Sequence, residues 1–494
     1  MNRSIALLSC CAGALALPSP AWAQSLQDAL ASAYENNPTL TAQRANVRVA
    51  DEGVPIARSA GLPQIEGSVT YRENVLQGEP SPSGFFSDPD RQLTAQLSAE
   101  VPIITFGAVR NSVRAAESRV VSSRYGLRST ESELFTAVVG AYMDVLRDEA
   151  VVQLNERNLS VMEFTLSETQ QRRSAGNRGP TDVAQAEARV ALAEAQVANA
   201  RSQLIASREA FTRLVGMPPG DLMAPPPLPS LPQGPEAAVA MAFENNPELL
   251  AAKTELEAAR FDVDAAIGQG RPSFSGIGGI NQYDYLGSLR TNTGPRNGDQ
   301  GTTAFVGVRL DVPIFQGGRI SASIRQAQAR QAVAAEQVVE AERMLVADAR
   351  SAYAIWRFAN VVTAAAERGV EANGRVLEGL RAETRAGFRP LLDRLNAEQE
   401  LLNAEVTLVT ARRDAYVAGF ALLAAMGHAE ARDLDFDAGV LYDPAISYEQ
   451  SRDRVFQFSY DFEAEPLGTS TFDTPPQDAS VEPLEELPVP AASN

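Results

Sequence analysis

Hydrophobic and polar residues alternate with a period of two in four places along the chain. Ile65, Gly67, Val69 and Tyr71 form the first alternating run; Leu93, Ala95, Leu97, Ala99 and Val101 form the second. The stretch 274–285 forms the third, and Ala304, Val306, Val308, Leu310 and Val312 the fourth. Such alternation predicts strands with one apolar face. At about 9–11 residues each, they are long enough to cross a bilayer core when tilted. Polar loops rich in Gly, Pro, Ser and Asp join them in pairs, over 72–91 and 286–301.

The segments after each pair switch to a helical period. Val109, Val113, Ala116, Val120, Ser123, Leu127, Thr130 and Leu134 are spaced alternately by four and three. The pattern resumes from Val138 and runs to Leu166. No proline lies between Pro102 and Pro180, or between Pro313 and Pro390. This predicts long coiled-coil helices, the first over about 107–175 and roughly 100 Å long. Ser, Thr, Asp, Asn and much Ala interrupt the seam, so these helices need neighbours on more than one side. Helices are also predicted over 38–60, with Asn37 as N-cap and Pro38 at the first position, and over 181–215. Laid end to end, those two match the long helix in length.

The chain is one unit written twice. Glu35-Asn36-Asn37-Pro38 recurs as Glu244-Asn245-Asn246-Pro247, and Val101-Pro102-Ile103 as Val312-Pro313-Ile314. Ala141-Tyr142 recurs as Ala352-Tyr353, and Asp182 matches Asp393. The organisation is therefore a first repeat over 24–216, a Pro-rich linker over 217–235 and a second repeat over 236–428. A tail over 429–494 follows. Between 430 and 494 there are 15 Asp+Glu and 3 Arg, too little apolar surface to order such a segment, and the order is expected to end near Asp443.

Composition narrows the function. A net charge of -19 argues against nucleic acid as a partner. A mean hydropathy of -0.16 is too polar for a bundle of transmembrane helices. Residues 1–23 read as a secretory signal peptide: Arg3, an apolar run from Ile5 to Leu17, and Ala21-Trp22-Ala23. Cys10 offers an alternative lipoprotein cleavage site, preceded by only four apolar residues. Both cysteines, Cys10 and Cys11, fall in this segment, so no disulfide is available to the mature chain. One histidine, His428, follows Gly427 at a helix end, where a capping or surface role outweighs catalysis. No His pair and no Gly-Lys-Ser/Thr phosphate loop occur. Neither catalysis, nor a metal, nor a cofactor has support in these residues.

Two hairpins give four strands, which cannot close a barrel. In lipid an open sheet edge is prohibitive, so copies of the chain must share one. Two copies give eight strands with a filled interior; three give twelve and an aqueous lumen, the geometry favoured for a conduit. The competing reading is a soluble periplasmic coiled-coil adaptor or scaffold without a pore. The fold class expected is α+β: a long helical coiled-coil barrel and a transmembrane β-barrel completed by trimerisation, with two internal repeats.

Three strings then carry a resemblance over about 26–435. They are Asp311-Val312-Pro313-Ile314-Phe315-Gln316-Gly317-Gly318-Arg319, Ala386-Gly387-Phe388-Arg389-Pro390-Leu391-Leu392-Asp393, and Ala411-Arg412-Arg413-Asp414-Ala415-Tyr416. The chain resembles the TolC family of bacterial outer-membrane export channels. That resemblance implies a homotrimer in outer-membrane lipid, with its helical tunnel in the periplasm. A periplasmic adaptor and an inner-membrane transporter would load it with drugs or unfolded proteins.

The helix turns farthest from the strands carry paired charges. Arg178 to Asp182 and Arg389 to Asp393 both read Arg, three residues, Asp. By resemblance, Thr181, Asp182 and Arg389 match positions that hold the periplasmic mouth shut, and Asp393 matches a carboxylate ring in the constriction. Asn396 stands where the family prototype has a second ring Asp, and Arg385 where it has a linking Tyr, which makes the constriction less acidic. A plainer reading has Asp182 and Asp393 complementing helix dipoles. Phe106 and Phe315, just past strands two and four, read equally as an interfacial aromatic girdle or as hydrophobic staples.

Overall fold

The computed structural model describes residues 24–76, 89–176, 179–288, 299–386, 388–434, 441–455 and 468–481. The segment 1–23, read as a signal peptide, and Arg178 lie outside these. The first repeat runs α1 (Leu26–Asn36), α2 (Pro38–Ser59), β1 (Gln64–Glu73), β2 (Arg91–Ile104), α3 (Ala108–Ser174) and α4 (Pro180–Val215). The second repeats that order as α5 (Pro235–Asn245), α6 (Pro247–Gln269), β3 (Ser273–Asp284), β4 (Gln300–Asp311), α7 (Arg319–Arg385) and α8 (Leu391–Ala425). A 3-10 turn (Ala431–Asp433) and α9 (Pro444–Ser451) follow.

The long helices α3 and α7 have 67 residues each, roughly 100 Å of rod. Each starts on a left-handed glycine, Gly107 or Gly318. The helices α2 and α4 pack along α3, and α6 and α8 along α7. The composite rod is spliced at the Glu-Asn-Asn-Pro motif. Asn37 caps α2 by accepting from the Thr39 N–H at 2.9 Å. Its amide also donates to the Leu214 carbonyl at the end of α4, at 2.9 Å. Asn246 does the same between Leu249 and Ala425. Carbonyls at a helix end, otherwise unpaired, are thus satisfied by the next helix's cap.

The main core lies where these splices meet α3, around Phe135, Val138, Tyr142, Leu204 and Phe211, with Phe420 and Leu422 from the second repeat. Three tyrosine hydroxyls pin the linker here: Tyr142 to the Met223 carbonyl at 2.7 Å, Tyr416 to Pro226 at 3.0 Å, and Tyr353 to Gln233 at 3.0 Å. Tyr142 and Tyr353 are the repeat-related pair, which gives that motif its physical role.

The tail differs from expectation. The helix α9 packs on α2, and residues 468–481 run along α4. There Arg208 bridges Glu149 at 2.7 Å and Asp478 at 3.1 Å, and Ala479 and Val481 join the main core. An acidic segment without a core of its own is ordered by the surface it lies on. The parts 435–440, 456–467 and 482–494 lie outside the described residues.

Candidate functional site

The four strands form one antiparallel sheet in the order β1-β2-β3-β4. Its register lines up the apolar positions: Ile65 faces Ala99, Ala99 faces Gly278, and Gly278 faces Val306. This face has no cover; Ile65 is 70% and Val306 91% exposed. The opposite face carries Ser68, Gln96, Asn281 and Thr303 in one row. It also carries Arg309, which pairs with Glu100 and, at 3.0 Å, with Asp311. Strands of 10–14 residues, apolar outside and polar inside, are those of a bilayer-spanning barrel wall. Gly279 leaves the space filled by the Phe305 ring, which would lie 2.8 Å from any Cβ there. The glycine accommodates an aromatic ring as well as a close backbone. Phe315 is 87% exposed, so it staples nothing within the chain, and Phe106 is 45% exposed.

At the other end of the rods are the turns α3–α4 and α7–α8. Thr181 and Asp182 sit in the first turn of α4, which follows Gly179 and has no side-chain cap; an acid there faces open N–H groups. Arg389 immediately precedes Pro390, the N-cap of α8. Its guanidinium contacts Glu383 at 3.0 Å and Asp393 at 3.6 Å, and its side chain stays 53% exposed. Asn396 accepts from Arg189 of α4 at 2.7 Å, and Arg385 is the last residue of α7. The structure therefore joins Arg389 to Asp393, and Asn396 to α4. It does not join Arg389 to Thr181 or Asp182 inside one chain.

A family model described as outer membrane efflux protein matches residues 29–217 and 238–428. The chain belongs to that family, the TolC family. It is 33% identical over 438 residues to the outer membrane efflux protein BepC of Brucella suis, covering 88% of this chain and 92% of the relative. To the outer membrane protein TolC of Vibrio cholerae it is 27% identical, covering 86% and 95%. Among solved structures it is similar in fold to the outer membrane protein VceC of Vibrio cholerae (TM-score 0.68, 21% identity, 81% of this chain and 96% of that one). It is equally similar to the open state of the MtrE channel of Neisseria gonorrhoeae (TM-score 0.68, 24% identity, 83% and 90%). This TolC-family protein is an outer-membrane export channel whose helical rods lie in the periplasm.

One feature of this TolC-family chain escapes a reading by motif. Arg394 of α8, with a side chain only 15% exposed, reaches Glu168 of α3 at 3.4 Å and the Thr165 hydroxyl at 3.3 Å. Glu168 also takes Arg172 at 2.6 Å. Behind it, buried Glu398 receives three hydrogen bonds from Arg381, at 2.9, 3.0 and 3.0 Å. These pairs tie α3 to α8, and α8 to α7, near the α7–α8 turn. Charges on long helices ordinarily read as a solvated face, and nothing in the spacing distinguishes Arg394 from its neighbours.

Proposed function

We propose that three copies of the chain close their sheets into one twelve-stranded barrel and their rods into one tunnel. The assembly is a passive export duct without catalysis of its own. A single observation carries this: among the described residues β1 pairs only with β2 and β4 only with β3, while the apolar face of the sheet stands exposed. Edges left open in lipid cost several kcal/mol per unpaired backbone group, roughly, and a neighbouring copy offers the complementary edge. Twelve strands leave an aqueous lumen, into which the polar face with Glu100, Arg309 and Asp311 points. An inner-membrane transporter and a periplasmic adaptor load the duct. Efflux, as in the name of BepC, and protein secretion, as in that of AprF, are both within reach of such a pore.

At the mouth, Arg389 of one copy meets Thr181 and Asp182 of the next, and Asp393 contributes a threefold carboxylate ring. The half-exposed guanidinium of Arg389 leaves it able to make this second contact. Cross-linking in outer-membrane fractions, followed by single-channel recording in planar bilayers, tests the reading. Trimeric bands and discrete conductance steps are expected. A monomer that gives no steps would support the adaptor or scaffold reading instead.

A further inference from the structure

The end of α3 and the α7–α8 turn enclose a half-open recess, walled by Glu168 and Arg172 of α3, Thr384 and Arg385 of α7, and Leu391 and Arg394 of α8. Three guanidinium groups thus meet one carboxylate. Glu168 is shared between Arg172 at 2.6 Å and Arg394 at 3.4 Å. Glu383 is paired with Arg389, and Glu398 is shared between Arg381 at 2.9 Å and Arg394 at 3.7 Å. Arg385 has no ion pair among the described residues. The recess therefore carries surplus positive charge.

Thr384 adds an independent observation. It is 5% exposed, and its hydroxyl has no hydrogen-bond partner. Other threonines of these helices donate to the carbonyl four residues back, as Thr165 does to Val161 at 2.7 Å and Thr410 to Val406 at 2.9 Å. Thr384 does not, although the same bond lies within its own helix. The Nε of Arg394, in the same wall, is likewise buried without a hydrogen bond; its closest acid, Glu398, is 3.7 Å away. Each such donor left unmade costs about 1–3 kcal/mol. Water would satisfy them but would leave the charge uncompensated.

We propose that this recess binds a small inorganic oxyanion, phosphate or sulfate. Its oxygens accept from the Thr384 hydroxyl and from the guanidinium groups of Arg394 and Arg385, as charge-assisted bonds. The α8 helix starts at this corner on Pro390 with no side-chain cap, so its positive end adds to the site. The occupied site joins the end of α3 to the α7–α8 turn. It stands apart from the export reading, and its test measures binding rather than conduction.

Inorganic sulfate is titrated calorimetrically into the purified full-length protein, in buffer free of other oxyanions. Saturable binding of one sulfate per chain is expected. Thr384→Val, which keeps shape and removes the hydroxyl, should weaken it several-fold, and Arg385→Gln, at an exposed position, by tenfold or more. Arg375→Gln, higher on the same helix and paired to Glu371, should bind as the parent does. Absence of saturable binding by the parent overturns the site. So does equal affinity in the Thr384 and Arg385 variants, which would place the sulfate elsewhere.

Discussion

The side-chain amide of Asn37 donates to the carbonyl of Leu214 at 2.9 Å while its oxygen caps α2. One residue thereby closes two helix ends that are 177 positions apart in sequence. The pair Asn246 and Ala425 repeats the joint at 3.4 Å. A channel built from rods of roughly 100 Å needs such splices, because two stacked helices otherwise leave opposed, unsatisfied ends.

Asn37→Ala removes both bonds and should cost about 1–3 kcal/mol. Asn37→Asp keeps the capping oxygen but loses the donor and sets a negative charge against the carboxyl end of α4. Denaturant unfolding of the two variants should show both destabilised. If Asn37→Asp matches the parent, the splice is only an N-cap.

Glu131 gives the fold a pH dependence. Burial drives its carboxyl up to about 7, and the Ala431 N–H that it accepts only partly offsets this, with Glu430 nearby adding to the rise. A carboxyl raised in the folded state contributes stability that is fully present below about 4.5 and is lost as pH climbs through 7. The shift corresponds to about 3 kcal/mol at most. Between pH 5 and 8 the melting temperature of the parent should fall relative to that of Glu131→Gln, which keeps an acceptor and does not ionise. Parallel pH profiles for the two would show that Glu131 titrates normally.

The strands, the long helices and the twofold repeat were legible because each follows from spacing alone. Alternation at Ile65 to Tyr71, the proline-free stretches and the duplicated Glu-Asn-Asn-Pro all survive without tertiary information. Asn37 could be read as an N-cap, but not as a splice, since its second partner belongs to a distant helix. The Arg394 contacts were illegible for the same reason: Glu168 lies 226 residues away. Arg389 could be matched to a latch only by resemblance, and the chain gives it Glu383, six residues earlier, as a partner. The packing of 444–451 and 468–481 was illegible because composition measures whether a segment can build its own core. Residues such as Asp478 and Val481 need only borrow one.

Gly427 terminates α8 with φ +77, and a Cβ there would lie 2.5 Å from the Asn245 carbonyl oxygen. Its position lets the His428 N–H donate to the Leu423 carbonyl at 2.9 Å, closing the helix end. Gly427→Ala therefore adds left-handed strain to a backbone clash and should cost about 2–3 kcal/mol. Gly369→Ala, in mid-helix with nothing within 4 Å, should instead be neutral or stabilising by up to about 1 kcal/mol. Thermal unfolding separates the two; a mild effect at Gly427 would mean that the α8 end relaxes freely.

Breaking Arg389 tests the mouth directly. In the proposed trimer its contact with Asp182 of the neighbouring copy biases the aperture closed, and within its own chain Glu383 and Asp393 compete for the same guanidinium. A partly exposed pair is worth about 0–1 kcal/mol. Three symmetric copies acting on one concerted opening total about 1–3 kcal/mol, a shift of roughly tenfold or more in the resting equilibrium. Arg389→Ser should raise resting conductance in planar bilayers, and Asp182→Ala should do nearly the same, with little further gain in the double variant. Glu383→Gln should act in the opposite direction, because it releases Arg389 from its 3.0 Å partner and leaves it to the neighbour. If Arg389→Ser conducts like the parent, the charge only settles the start of α8 and the latch between copies does not exist.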